Sequence, residues 1–116
     1  SVGLVMASGA RAQCSESNPE MVCPVEVCHA LEAVVTADCK TPAPTSCVDI
    51  NGCEALLAMR ARWRTCLGAR LDMKLTCFPA PNAGHDFQIS LVQKNIRNCD
   101  RKIARPRPVG CGDPCP

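Results

Sequence analysis

Apolar side chains recur every three or four residues through most of the stretch from Gly52 to Ile103. This interval places them on one face of a helix and predicts that the face packs against a partner. The recurrence stops at residues 78–84, where two prolines and a glycine stand together, a combination that a helix interior would not hold. The pattern therefore predicts a long antiparallel hairpin of two helices, folded about Pro81.

Each predicted helix carries a stripe along its whole length. The stripe of the first comprises Leu56, Met59, Trp63, Cys66, Arg70, Met73 and Cys77, and that of the second His85, Ile89, Val92, Ile96, Cys99 and Ile103. Folding the helices together sets Arg70 near Val92 and brings Cys66 level with Cys99. We predict a Cys66–Cys99 disulfide from this geometry, since a cystine needs a Cα separation of about 5–6 Å.

A shorter helix is predicted from Pro24 to about Ala37, because the proline suits a first helical turn and an apolar stripe follows it. That stripe consists of Val27, Cys28, Leu31, Val34 and Val35. His29 lies off the stripe and is interpreted as a surface residue. The prolines of residues 39–53 predict a loop, at whose end Asp49 or Asn51 is placed to cap the long helix that follows.

Eleven cysteines in 116 residues indicate a single domain that is cross-linked by disulfides in an oxidising compartment. Because eleven is odd, at least one thiol is free, intermolecular or lost in processing. The predicted fold class is all-α and disulfide-rich, with the long hairpin, a shorter N-terminal helix and cystine-tied loops. Cys111 and Cys115 could form half of a zinc site, but no matching pair stands at zinc-finger spacing. We therefore predict no metal and no other cofactor.

The first thirteen residues are apolar and then small, and Ala10-Arg11-Ala12 is typical of a signal-peptidase site. We interpret residues 1–13 as the remnant of a signal peptide or as a linker, and residues 14–116 as one disulfide-rich helical domain. No run reaches the ~18 apolar residues of a transmembrane helix. We predict no stable membrane insertion, and we expect a monomer.

Charge is distributed unevenly, although the net charge is only +2. Residues 1–59 hold two basic and seven acidic side chains, whereas residues 60–107 hold eleven basic and three acidic ones. A basic half on a near-neutral chain indicates a polyanionic partner such as RNA, or an acidic protein surface. An arginine-rich helix surface that is simply solvated is an equally good interpretation.

Arg70 and His85 are the two members of the stripes that are not apolar. Gly84 and His85 begin the second helix, where free N–H groups and the helix dipole attract anions and keep the imidazole neutral, able to act as a base. Arg70 offers a planar donor fork to a phosphate, and Phe78 and Trp63 offer aromatic surfaces on which a base could stack. Together they predict metal-independent RNA cleavage, in which His85 deprotonates the 2′-hydroxyl and Arg70 stabilises the phosphorane charge.

Three further basic residues lie off the stripe, and we assign them to substrate binding: Arg60, Arg64 and Lys74. We expect that their charges can be reversed together without unfolding the domain. A purely structural interpretation of the central pair stays open. A histidine at a helix start is often a cap, and an arginine within a stripe often extends to the surface.

The order of motifs from Cys53 to Cys99 resembles the bacterial polymorphic-toxin domains of the predicted ribonuclease family novel toxin sixteen. The resemblance covers about half of the chain and is carried by Cys53 and Leu56, Arg60 and Trp63, Ala69-Arg70, Cys77-Phe78, Gly84-His85 and Cys99. The family usually has Gly-Gly-Asp before the Gly-His pair, where this chain has Ala80-Pro81-Asn82. If that aspartate is catalytic, its loss would leave this member weakened or inactive.

The resemblance implies a toxin domain that acts on RNA and that is found at the C-terminus of Rhs or type VI secretion effectors. It also implies secretion, or delivery to another cell, with an extracellular or periplasmic stage. A toxin of this type should have a cognate immunity protein, which we expect to be acidic.

Two other functions are left open by the sequence. His85-Asp86-Phe87 resembles the His-Asp-Phe of small secreted phospholipases A2, which are also helical and disulfide-tied. That mechanism needs a glycine-rich calcium loop and a second aspartate on a paired helix, and neither is in the expected place. The other is a non-catalytic, disulfide-rich helical module that binds an acidic protein through its basic half.

Overall fold

Helices make up most of residues 13–114, the part of the chain that the computed structural model describes. The described helices are α1 at Val25–Cys39, α2 at Cys53–Cys77 and α3 at Ala83–Ile103, with a single 3-10 turn at Cys47–Asp49. No strand forms within this range. The predicted all-α, disulfide-rich fold is confirmed.

α2 and α3 form the predicted antiparallel hairpin, and α1 also packs against α2. Two ion pairs connect the hairpin, Arg60 with Asp100 (2.9 Å) and Lys74 with Asp86 (3.2 Å). The two pairs are separated by the same number of residues on both helices, so they describe one register. The predicted pairing of Arg70 with Val92 differs from this register by about half a helical turn, whereas the predicted pairing of Cys66 with Cys99 differs by more than one turn.

The two hairpin helices begin in different ways. α2 begins after Gly52, whose φ of 109° favours glycine and whose N–H donates to the Val109 carbonyl (2.8 Å). The predicted caps Asp49 and Asn51 are therefore wrong, since a residue without a side chain holds the capping position. α3 does have a side-chain cap, and it is Asn82.

Cystine forms much of the core. Seven of the thirteen buried apolar residues within 13–114 are cysteines, in a chain that has only three aromatic side chains. The disulfides of the described part are Cys14–Cys28, Cys23–Cys77, Cys39–Cys66, Cys47–Cys99 and Cys53–Cys111. Each helix is thereby tied to a segment that is distant in sequence.

The predicted Cys66–Cys99 disulfide is wrong. Cys66 pairs with Cys39 at the end of α1, and Cys99 pairs with Cys47 in the 3-10 turn. The register of the ion pairs places Cys99 level with Ala61, roughly 7 Å along the α2 axis from Cys66. That offset is too long for a cystine. The stripe of α2 packs against both α1 and α3, and Cys66 lies on the part of it that contacts α1.

The segment before α1, residues 13–24, is fixed near both ends and is called the N-terminal segment below. Cys14 is bonded to Cys28 of α1, and Cys23 is bonded to Cys77 at the end of α2. The two cystines hold the N-terminal segment across the end of the hairpin at which α3 begins.

The chain after α3 turns back against the end of that helix. Cys111 is bonded to Cys53 and so is not available as a zinc ligand in this form, while Cys115 lies outside the described residues. The packing is tightest at Gly110, where a Cβ would overlap the backbone carbonyl oxygens of Lys102 and Arg105.

Residues 1–12, which hold nearly all of the predicted signal-peptide remnant or linker, also lie outside the described residues. Of the helices that are described, none is both long and apolar enough to span a membrane.

We expect Gly110→Ala to destabilise the domain by about 1–3 kcal/mol, because backbone atoms at the end of α3 must move to admit the methyl group. Gly68→Ala is the matched control. Gly68 lies in α2 with no atom within 4 Å of the added Cβ, so helix propensity should raise the free energy of unfolding by up to about 1 kcal/mol. Denaturant unfolding followed by circular dichroism measures both. Equal stability of Gly110→Ala and wild type would contradict the packing of the tail.

Candidate active site

A cavity of about 290 Å³ lies where the N-terminal segment meets the end of α2 and the start of α3. The polar side chains that line it are Gln13, Asn18, Glu20, Arg70, Asn82, His85 and Gln88. The cavity thus receives Arg70 from α2 and His85 from α3, the two residues of the stripes that are not apolar. A guanidinium and an imidazole therefore line the same cavity.

His85 is held in position by the local sequence at the start of α3. Asn82 caps the helix, and its Oδ1 accepts a hydrogen bond from the His85 N–H (3.0 Å). A Cβ on Gly84 would stand 3.3 Å from that Oδ1, so the glycine leaves room for the cap. The imidazole stacks on Phe78, with ring centroids 4.9 Å apart and planes 21° from parallel. His85 is therefore not itself the cap, and its ring faces the cavity.

The pKa of His85 lies below its ordinary value of 6.5. Burial is the largest cause, the Lys74 cation lowers the pKa further, and Arg70 adds a smaller effect; Glu20 and Asp86 act in the opposite direction. The imidazole is therefore mainly neutral at pH 7 and able to accept a proton. The unfolded chain, in which His85 has its ordinary pKa of 6.5, therefore takes up a proton at this residue more readily than the folded chain. The contribution of His85 to stability accordingly falls as the pH drops from 6.5 through its folded pKa.

Arg70 enters the cavity from the facing helix. Burial lowers the pKa of its guanidinium, which nevertheless stays charged. Its Nε is buried and has no hydrogen-bond partner among the described residues, nor does any carboxylate of that part of the chain lie within ion-pair distance of it. An unpaired buried donor is costly. A bound anion would satisfy it, and would be attracted by the charge.

Two residues of the cavity, Glu20 and Asn82, are not among the site residues predicted from the sequence. Glu20 Oε1 accepts a hydrogen bond from Asn82 Nδ2 (2.7 Å), across a separation of 62 residues. Asn82 does carry a sequence signal, because it is a good N-cap residue directly before a predicted helix. Glu20 carries none, since it lies in a polar, turn-rich segment that is brought to the site by disulfides and other contacts between residues distant in sequence.

Three of the predicted substrate-binding residues lie at or beside the cavity, mainly in supporting positions. Lys74 bridges Asp86 (3.2 Å) and the Ala80 carbonyl (3.1 Å), and so holds the turn of the hairpin. Phe78 is only 2% exposed, which leaves no open ring face for a base and corrects the role given to it. Gly84 lines the cavity, where its backbone N–H is in the first turn of α3 and has no intrahelical acceptor.

The other three predicted substrate-binding residues lie towards the start of α2, roughly 9–15 Å along the helix axis from Arg70. Arg60 forms one of the hairpin ion pairs, and Arg64 is exposed. Trp63 is packed against the core, and its indole N–H donates to the Thr45 carbonyl. The expectation that Arg60, Arg64 and Lys74 can be reversed together without unfolding has to be revised. Two of them connect α2 to α3.

Metal ligands are not evident in the described part of the chain. Two groups have candidate ligand atoms within 4.8 Å of one another: Cys23, Cys28 and Cys77, and Cys14, His29 and Glu32. All the cysteines concerned are in disulfides, whereas a metal requires the thiolate. His29 is exposed, as predicted, and does not line the cavity.

The fold and the cavity define a small, disulfide-tied helical domain with a candidate anion site. The family model described as Novel toxin 16 matches residues 20–102, well over half of the chain. The chain therefore belongs to the Novel toxin 16 family. The match spans Glu20, Arg70, Asn82 and His85. No curated protein and no solved structure matches the chain.

Membership of a toxin family suggests a cognate immunity partner. The disulfides and the family are together consistent with an extracellular or periplasmic location.

We expect Lys74→Met to raise the pKa of His85. The substitution removes a cation beside the imidazole and also releases Asp86 from its ion pair, and both changes favour the imidazolium. NMR titration of the imidazole C–H resonances measures the pKa, with His29 as an internal comparison. Lys94→Met, an exposed position on α3, is the control and should leave the pKa unchanged. A His85 pKa above 6.5 in the wild type would contradict the burial described here.

Proposed function

We propose that the chain is a metal-independent ribonuclease, the enzymatic domain of a bacterial toxin. The observation that supports this most directly is the convergence of Arg70 and His85 on one cavity from two different helices. Cleavage of a phosphodiester by an adjacent hydroxyl needs a cation for the anionic oxygens and a base for the hydroxyl proton. An arginine without an ionic partner among the described residues and a neutral histidine meet these two needs.

The reaction would proceed with the RNA phosphate bound to Arg70 and to the free N–H groups in the first turn of α3. His85 takes the proton of the 2′-hydroxyl, and O2′ forms a bond to phosphorus. The bond from phosphorus to O5′ breaks, and O5′ leaves with the electron pair and receives a proton. The products are a 2′,3′-cyclic phosphate and a free 5′-hydroxyl. Arg70 stabilises the negative charge that collects on the equatorial oxygens.

The phospholipase alternative is less well supported. Its mechanism uses an aspartate on the paired helix to orient the histidine, whereas α2 faces His85 with Arg70 and Lys74. Two cations are suited to an anionic phosphate and not to a calcium ion. A non-catalytic module that binds an acidic protein would use the same basic charge, and the cleavage assay below separates it from the ribonuclease.

Delivery and inhibition belong to the same proposal. We propose that the domain is secreted or delivered to another cell as the C-terminal part of an Rhs or type VI secretion effector. An acidic immunity protein would complement the excess of basic residues between positions 60 and 107.

We expect His85→Ala and Arg70→Ala each to lower RNA cleavage by about 100-fold or more, since an acid–base group and a charge-stabilising group each contribute on this scale. Turnover of a fluorogenic RNA in the presence of a chelator measures the effect. His29→Ala and Arg97→Ala are the matched controls, because both positions are exposed and neither lines the cavity. Cleavage that survives both cavity substitutions would place the site elsewhere, and no cleavage by the wild type would favour the binding module.

RNA affinity, measured on the His85→Ala variant to prevent turnover, is expected to fall steeply with salt because each neutralised phosphate releases counterions. Arg70→Ala in that background should reduce the slope of log affinity against log salt by about one unit. Fluorescence anisotropy with a labelled oligonucleotide provides both values. An affinity that does not change with salt would leave the basic half as a solvated surface.

A further inference from the structure

Cleavage of RNA by its own 2′-hydroxyl moves two protons, and His85 accounts for only one of them. The leaving O5′ must gain a proton, because an alkoxide is expelled slowly without a general acid. Among the described residues that line the cavity, the side chains able to ionise are Glu20, Arg70 and His85. Arg70 does not give up its proton, and the amide side chains of the lining cannot exchange one.

We propose that Glu20 is a second catalytic residue of this site, the general acid that protonates the leaving 5′-oxygen. The inference rests on the proposed ribonuclease function and assigns the half of the reaction that Arg70 and His85 leave open.

The position of Glu20 is built into the fold. Its segment is anchored on either side by the cystines of Cys14 and Cys23. Its Oε1 accepts a hydrogen bond from Asn82 Nδ2 (2.7 Å), and the Oδ1 of the same asparagine accepts one from the His85 N–H (3.0 Å). One amide therefore contacts both residues, the carboxylate of Glu20 and the backbone of His85. The second oxygen, Oε2, has no partner among the described residues and is left to carry the proton.

The charges around the cavity distinguish Glu20 from its nearest acidic neighbour. Asp86 forms an ion pair with Lys74 (3.2 Å), and the lysine balances its charge. Glu20 has no such cation partner within residues 13–114. Glu20 is therefore an acidic side chain that lines the cavity and to which no cation of the described residues is bound.

The proton balance is complete with these two residues. In the first step His85 takes the proton from O2′, the O2′–P bond forms, the P–O5′ bond breaks, and O5′ takes the proton from Glu20. The pair is left as imidazolium and carboxylate. In the hydrolysis of the cyclic phosphate the roles are reversed. Glu20 takes a proton from the attacking water as the water oxygen bonds to phosphorus, the P–O2′ bond breaks, and His85 returns its proton to O2′, which leaves a 3′-phosphate. The enzyme then regains its starting protonation.

The test uses Glu20→Gln and two substrates that differ only in the leaving group. One is the dinucleoside monophosphate that the wild type cleaves fastest. The other is the 4-nitrophenyl ester of the same nucleoside 3′-phosphate, whose leaving phenolate needs no proton. The glutamine oxygen can still accept the hydrogen bond from Asn82, so the cap and the N-terminal segment should remain in place. Glu16→Gln, an exposed carboxylate of the same segment that does not line the cavity, is the control.

We expect Glu20→Gln to lose about 100-fold or more in kcat on the dinucleotide and to stay within a few-fold of wild type on the nitrophenyl ester. His85→Ala should lose activity on both, and Glu16→Gln on neither.

If Glu20→Gln loses kcat equally on the two substrates, Glu20 has a structural or electrostatic role and is not the general acid. If the variant is fully active on both, Glu20 has no role in the reaction. In either case the losses in His85→Ala would leave the ribonuclease proposal standing. If the wild type cleaves neither substrate, the proposed function fails and the role of Glu20 fails with it.

Discussion

The cross-linking of remote segments by cystine is the constraint on which this fold depends. A chain with three aromatic residues has little large apolar volume to bury, and cysteine supplies seven of the thirteen buried apolar side chains in its described part. The described disulfides link residues that are 14 to 58 positions apart. In the chain-entropy account, each such link stabilises the fold by about 3–4 kcal/mol through its effect on the unfolded chain. The core therefore combines packing and cross-linking in the same side chains.

The two parts of the candidate site are held in place by different interactions. No described disulfide joins α2 directly to α3, so the hairpin that carries Arg70 and His85 depends on packing and on two ion pairs. The N-terminal segment that carries Glu20 depends on Cys14–Cys28 and Cys23–Cys77. Reduction of these two bonds would remove the covalent anchors of the segment, whereas Arg70 and His85 would still be held by the packing of α2 against α3. The complete arrangement of the cavity therefore depends on an oxidising environment.

The helical period of the sequence predicts the hairpin closely and places Arg70 and His85 on facing stripes, as found. The period does not show which neighbour a given residue of a stripe contacts when one helix packs against two others. The predicted Cys66–Cys99 bond is wrong for that reason. The period is also silent about contacts between distant segments. Glu20 reaches Asn82 across 62 residues through disulfides whose connectivity spacing alone does not give. Local physics thus predicts the scaffold and half of the site, and cross-linking determines the rest.

The asparagine at residue 82, where the family pattern has an aspartate, is compatible with a complete site. An aspartate at residue 82 would cap α3 equally well, since asparagine and aspartate are comparable N-caps. It would, however, put an oxygen where Nδ2 now lies, 2.7 Å from Glu20 Oε1, and an ionised carboxylate has no hydrogen to donate to Glu20. The amide can do both, because its Oδ1 accepts from the His85 N–H and its Nδ2 donates to Glu20. An asparagine is therefore the residue that suits a site whose acidic group comes from the N-terminal segment.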